Sequence, residues 1–205
     1  PVNGGITTNT NLIIVNGKLE AIDMTVTTGF TVGEVQFGVK DLELTYQNTS
    51  QIPNGATRTT GVVFSGPYDT NKTYDASKFE FCLSGTAYVT VGGITGLSGT
   101  FGHTNKVTGA KTPGLILIGY NVEAISMTID SNFMVGGVKF GTEDLQFIYQ
   151  NMSQIPNGTN FPAGTVYNGV YDTAKTYNPY NYEFSMSGTA YLTIGGISFD
   201  INSIV

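Results

Sequence analysis

Phe79-Glu80-Phe81-Cys82-Leu83-Ser84-Gly85-Thr86-Ala87-Tyr88-Val89-Thr90-Val91 alternates with a period of two. Phe79, Phe81, Leu83, Ala87, Val89 and Val91 fall on one side, and Glu80, Cys82, Ser84, Thr86, Tyr88 and Thr90 on the other. Strict alternation over this length predicts a β-strand with one buried and one wet face. Gly85 interrupts the apolar side at its middle, where a kink or bulge would split the segment into two strands. The same pattern returns 103 residues later, with Tyr182, Phe184, Met186, Ala190, Leu192 and Ile194 on the apolar side and Gly188 at the interruption.

That return is part of a whole-chain duplication. Residues 11–102 align with 114–205 without a gap, and 44 of the 92 paired positions are identical. The best-kept block is Gln47-Asn48-Thr49-Ser50-Gln51-Ile52-Pro53-Asn54-Gly55 against Gln150-Asn151-Met152-Ser153-Gln154-Ile155-Pro156-Asn157-Gly158. Tyr68-Asp69-Thr70 through Tyr74 matches Tyr171-Asp172-Thr173 through Tyr177 almost as closely. Two copies of this length are too few and too long for a solenoid. The expectation is therefore an all-β chain of two tandem homologous β-sandwich domains, immunoglobulin-like or jelly-roll in type, with about seven short strands each. The first copy spans 1–102 with an N-terminal arm, a polar linker spans 103–113, and the second copy spans 114–205.

Further strands follow from alternation at Ile22, Met24 and Val26, and at Ile125, Met127 and Ile129. The phase slips between Phe37 and Leu42, and again between Gly141 and Asp144, which predicts a β-bulge in each copy. No window shows the helical period with caps.

Composition narrows the chemistry. Only 12% of the 205 residues are charged, 40% are hydrophobic, and the formal charge is −6. The nine basic residues are scattered, so the basic face that binding to nucleic acid requires is missing, and an anionic membrane surface is disfavoured. No run of 18 to 20 apolar residues occurs, so no membrane insertion is expected. One histidine, His103, lies in the linker, and the one cysteine, Cys82, is matched by Ser185. A nucleophile–histidine site or a zinc site is not to be expected from that pair, so the chain reads as no enzyme.

Four positions are acidic in both copies: Glu20/Glu123, Asp41/Asp144, Asp69/Asp172 and Glu80/Glu183. Asp69 and Asp172, in Tyr-Asp-Thr turns, are the calcium candidates, since calcium takes carboxylate and carbonyl oxygens from loops; the alternative is an Asx turn. No cofactor other than calcium is suggested. Lys72 and Lys175 are the shared lysines, open to an isopeptide bond with an asparagine or to a simple turn role. Sequons stand at Asn48, Asn71, Asn151 and Asn157. Tyr68, Tyr171, Tyr177 and Tyr180, with the two aspartates, make the best candidate ligand or partner surface, because tyrosine stacks on sugars and anchors interfaces.

The expected function is a non-catalytic structural or adhesive protein, secreted or at the cell surface, which self-associates or binds another surface protein as a filament or coat subunit. The alternative is a lectin-like carbohydrate-binding module with one weak site per repeat, assisted by calcium.

Overall fold

The computed structural model describes residues 8–27, 29–32, 35–91, 94–104, 111–135, 138–194 and 196–202. They form thirteen strands and no helix: β1 (Thr8–Val15), β2 (Lys18–Val26), β3 (Phe30–Val32), β4 (Val35–Asn48), β5 (Phe79–Val91), β6 (Ile94–Phe101), β7 (His103–Thr104), β8 (Lys111–Thr112), β9 (Leu115–Ile118), β10 (Asn121–Val135), β11 (Val138–Asn151), β12 (Tyr182–Ile194) and β13 (Ile197–Asn202). The all-β expectation holds.

The copies are joined more closely than two separate sandwiches would be. Eleven strands share one antiparallel sheet, in the order β1-β2-β4-β5-β6-β10-β11-β12-β13, with β3 on β4 and β9 between β5 and β10. The short pair β7–β8 stands apart. It brackets the expected linker, of which residues 105–110 lie outside the described residues. Of the N-terminal arm, 8–10 belong to β1.

One strand position in the sheet is filled jointly by the two copies. The last strand of the first copy, β6, pairs with Gly85–Val91 of β5, while the first strand of the second, β9, pairs with Glu80–Leu83. On the far side β9 pairs with Asn121–Ile125 of β10 and β6 with Met127–Ser131. The chain leaves β6 and returns to β9 where Gly102 donates to the Ser126 carbonyl and Ser126 donates to that of Gly114. A Cβ on Gly114 would lie 2.2 Å from the Gly102 nitrogen, so the crossing requires glycine there.

The phase slips are real bulges. The β4–β5 register shifts between Lys40 and Glu43, and the β11–β12 register between Glu143 and Gln146. Asp41 and Asp144 take left-handed backbone there, with φ 51° and 50°. Each faces a glycine, Gly85 or Gly188, at φ +121° and +144°, and a Cβ on Gly85 would come within 2.5 Å of the Asp41 carbonyl oxygen. The glycines accommodate the bulge opposite without dividing their own strands, so β5 and β12 each remain one strand, not the two anticipated.

Burial runs against the sequence pattern. The cross-strand row Met24, Leu44, Leu83, Leu115, Ile125, Tyr149, Phe184 is apolar from β2 to β12. None of its members is buried. The adjacent row, Asp23, Thr45, Cys82, Ile116, Ala124, Gln150, Glu183, is polar at its ends, yet Cys82, Ile116, Ala124 and Gln150 in its centre are buried. The cause is the 30-residue connection between β4 and β5, and its copy between β11 and β12, which lie over the second row's face. The upper reaches of the apolar side, including Val35, Phe37, Val89 and Val91, have side chains outside the described set.

The total accessible surface is 12245 Å². A compact monomer of 21.8 kDa would expose about 9300 Å².

Candidate functional site

The two long connections, 49–78 and 152–181, carry every expected site residue, and the best-kept sequence block anchors them. Gln47 sits on the covered face of β4. Its amide nitrogen donates to the Glu20 and Asn48 carbonyls, and its oxygen accepts from the Phe64 amide at 2.8 Å. Asn48, fully buried, accepts from the Ser50 amide and hydroxyl and donates to the Asp75 carbonyl. Gln51 donates to the Lys72 carbonyl. Gln150, Asn151, Ser153 and Gln154 repeat this set bond for bond. Polar side chains inside strands are unfavourable unless matched, and the amides of Gln47, Asn48, Gln150 and Asn151 are matched on both sides, so they clamp the connections, while Gln154 Oε1 is left without a partner. The buried, occupied amides of Asn48 and Asn151 leave no nitrogen for a glycan; Asn71 is exposed.

The candidate residues serve the same docking. The Tyr68 and Tyr171 hydroxyls donate to the carbonyls of Phe64 and Tyr167, and Tyr177 donates to Val122. Burial pushes the Tyr68 and Tyr171 hydroxyls above the usual tyrosine value, and that of Tyr177 up to about 12. Asp69 and Asp172 each make an Asx turn, accepting at 3.1 Å from the amides of Asn71 and Ala174. Among the described residues no group of three or more His, Cys, Asp or Glu side chains converges. Lys72 Nζ donates to the Ile52 carbonyl and to Asn54 Oδ1 at 2.7 Å, and Lys175 does the same with Ile155 and Asn157. Tyr180 alone stands free, at 88% exposure.

Under the connections lie groups that the sequence flags only as shared acids. Glu20 and Glu123 are the extra residues of bulges, where Ile13/Ile14 and Val122/Ala124 step out of register. Both are fully buried, and neither carboxylate oxygen of either has a hydrogen-bond partner. Desolvation raises both, Glu123 to about 7. Glu80 is raised by burial too, against the opposing pull of Arg58, which pairs with it, and of the Gly61 amide at 3.0 Å. In the second copy Phe161 replaces Arg58 and Glu183 keeps only the equivalent amide bond, from Gly164. Cys82 is buried, and desolvation pushes its thiol far up, so it is an inert core residue.

The hydrophobic core lies at the boundary of the copies. Cys82 of β5, Ile116 of β9 and Ala124 of β10 pack with Ile155 and Tyr171 of the second connection. The buried Thr60 hydroxyl of the first connection donates to the Gly169 carbonyl of the second at 2.8 Å. Beside this boundary Thr49, Lys78, Phe79, Asn121 and Gln154 line a cleft of about 410 Å³. On the opposite, open side Phe79 touches both Tyr46 and Tyr120, centroids 5.5 Å apart in each pair.

Compared with protein-family models, with curated proteins and with solved structures, the chain matches none.

Proposed function

We propose that this chain is a non-catalytic structural or adhesive module of an extracellular or cell-surface layer, working by self-association or by binding another surface protein. The observation that carries the reading is the uncovered face: a row of six apolar side chains and Tyr149 crosses the sheet, six of the seven half-buried and Phe184 57% exposed. A contiguous apolar row left accessible to solvent supports an interaction surface there. A second sheet laid on it would bury it and complete, between copies, the sandwich that the alternation in each strand calls for. The expected reactive groups support the same reading, because the tyrosine hydroxyls, Asx turns and lysines are occupied in holding the connections down.

Size-exclusion chromatography with light scattering over a concentration series tests it. The expected result is a mass that grows with concentration beyond one chain. A constant monomer mass at every concentration overturns it. Loss of the chain to neutral lipid vesicles, with no self-association, would replace it with a lipid-facing surface.

A second reading, a lectin-like module, is supported by the aromatic row Tyr46–Phe79–Tyr120 near the 410 Å³ cleft with its amide and hydroxyl lining. A glycan array with and without calcium tests it; silence in both retires the reading.

A further inference from the structure

We infer that the two edges of the sheet are complementary halves of one junction, so that a second copy of this chain docks head to tail, with its Leu12–Val15 on Glu183–Met186. This inference rests on the self-association reading above.

The template is the boundary inside the chain. There, β9 lies on the lower half of β5 in the register Glu80↔Ile118, Phe81↔Leu117, Cys82↔Ile116 and Leu83↔Leu115. The duplication maps Leu115–Ile118 onto Leu12-Ile13-Ile14-Val15 and Glu80–Leu83 onto Glu183–Met186. The register between copies is therefore Glu183↔Val15, Phe184↔Ile14, Ser185↔Ile13 and Met186↔Leu12. Along the outer side of β12 only Thr189–Ile194 is paired, to β13, among the described residues. The half that corresponds to the β9 site is open.

Exposure at the two edges matches what such a junction would cover. Leu12 and Ile14 on one edge are 56% and 58% exposed, and Tyr182 and Phe184 on the other are 53% and 57% exposed. Their counterparts Leu115, Leu117, Phe79 and Phe81, at the internal boundary, are all half-buried. On the covered face Ile116 is fully buried and Cys82 nearly so, whereas Ile13 and Ser185 are half-buried. Tyr171 is buried against Cys82 of the first copy, whereas its counterpart Tyr68 is half-buried. The edges pair different surfaces, so the contact is heterologous and passes from copy to copy as a ring or an open array.

One element has to give way. Thr8–Asn11 pairs with Asp23–Val26, the stretch whose counterpart in the second copy begins at Ser126 and is bordered by β6 from Met127 onward. Asn11 also takes the position of Gly114, where a Cβ has no room. Docking in the internal register therefore displaces Thr8–Asn11 from Asp23–Val26, where the incoming β13 meets Val26 through Asn202.

Site-directed cross-linking tests the register. In a Cys82→Ser background, the full chain carrying Ile13→Cys and Ser185→Cys places one thiol on each edge at the equivalent of the Cys82↔Ile116 pair. Mild oxidation at high concentration should give a ladder of covalent multimers on a non-reducing gel. The control, Ile14→Cys with Ser185→Cys, puts the two thiols on opposite faces of the sheet and should yield roughly tenfold less, because a disulfide needs Cβ atoms about 4 Å apart. Adding Asn11→Gly to the first pair should raise its yield. Multimers by light scattering with equal ladders from both pairs would overturn this register while leaving self-association standing. Monomers throughout with no ladder would overturn both.

Discussion

Glu123 is the residue on which the interior's electrostatics turn. Its carboxylate is fully buried without a hydrogen-bond partner, and desolvation raises it from 4.5 to about 7. A carboxyl raised on folding contributes stability in full below its unfolded value and loses it as pH climbs through the folded one. Chain stability should therefore fall between about pH 4.5 and pH 7.5, by on the order of 3 kcal/mol from this group. Glu20 and Glu80 are raised as well and add to the fall in the same direction. Urea unfolding at a series of pH values would show it, and Glu123→Gln should remove Glu123's share of the slope. A wild-type stability that rises from pH 5 to pH 8 would contradict the burial of these carboxyls. The four shared acids were visible in the sequence, but which of them are buried was not. Glu20 and Glu123 point inward because each occupies a bulge, and a bulge is set by pairing with a distant strand.

At the scale of elements, the bulge and the glycine opposite it act as a unit. Gly188 faces Leu145 and Asp144 so closely that an added Cβ would lie 2.5 Å from the Leu145 Cα, at a φ of +144° that side chains rarely adopt. Gly188→Ala should cost about 1 to 3 kcal/mol of stability by denaturant unfolding. Gly99→Ala, on β6 where nothing lies within 4 Å of the new methyl, is the control and should change little. Equal losses in the two variants would remove the bulge as the reason for the glycine. The phase slip announced this feature, because alternation is a local property and fails locally. The role of Gln47, Asn48, Gln150 and Asn151 was hidden, although their identity in both copies was plain. A kept Gln-Asn pair reads equally as a turn, a sequon or a clamp until the connection it holds is seen lying across the sheet.

At the scale of the molecule, the duplication was legible in full and its packing was not. Period-two alternation marks two faces but does not say which one the long connections will cover. Phe81, Leu83 and their counterparts read as a core, while Glu80 and Cys82 read as wet, and the 30-residue connections reverse that assignment. Nor does an ungapped repeat disclose that its copies share a strand position, since the pairing of β6 and β9 with both β5 and β10 joins residues from either side of the linker. The result is a sheet whose centre is shared by both copies, with one face partly accessible and, among the described residues, the outer side of Tyr182–Gly188 unpaired. Negative-stain imaging of the full chain at high concentration tests that picture most directly. It should show extended polymers or sheets that thicken as concentration rises. A field of discrete single-chain particles at every concentration would contradict it.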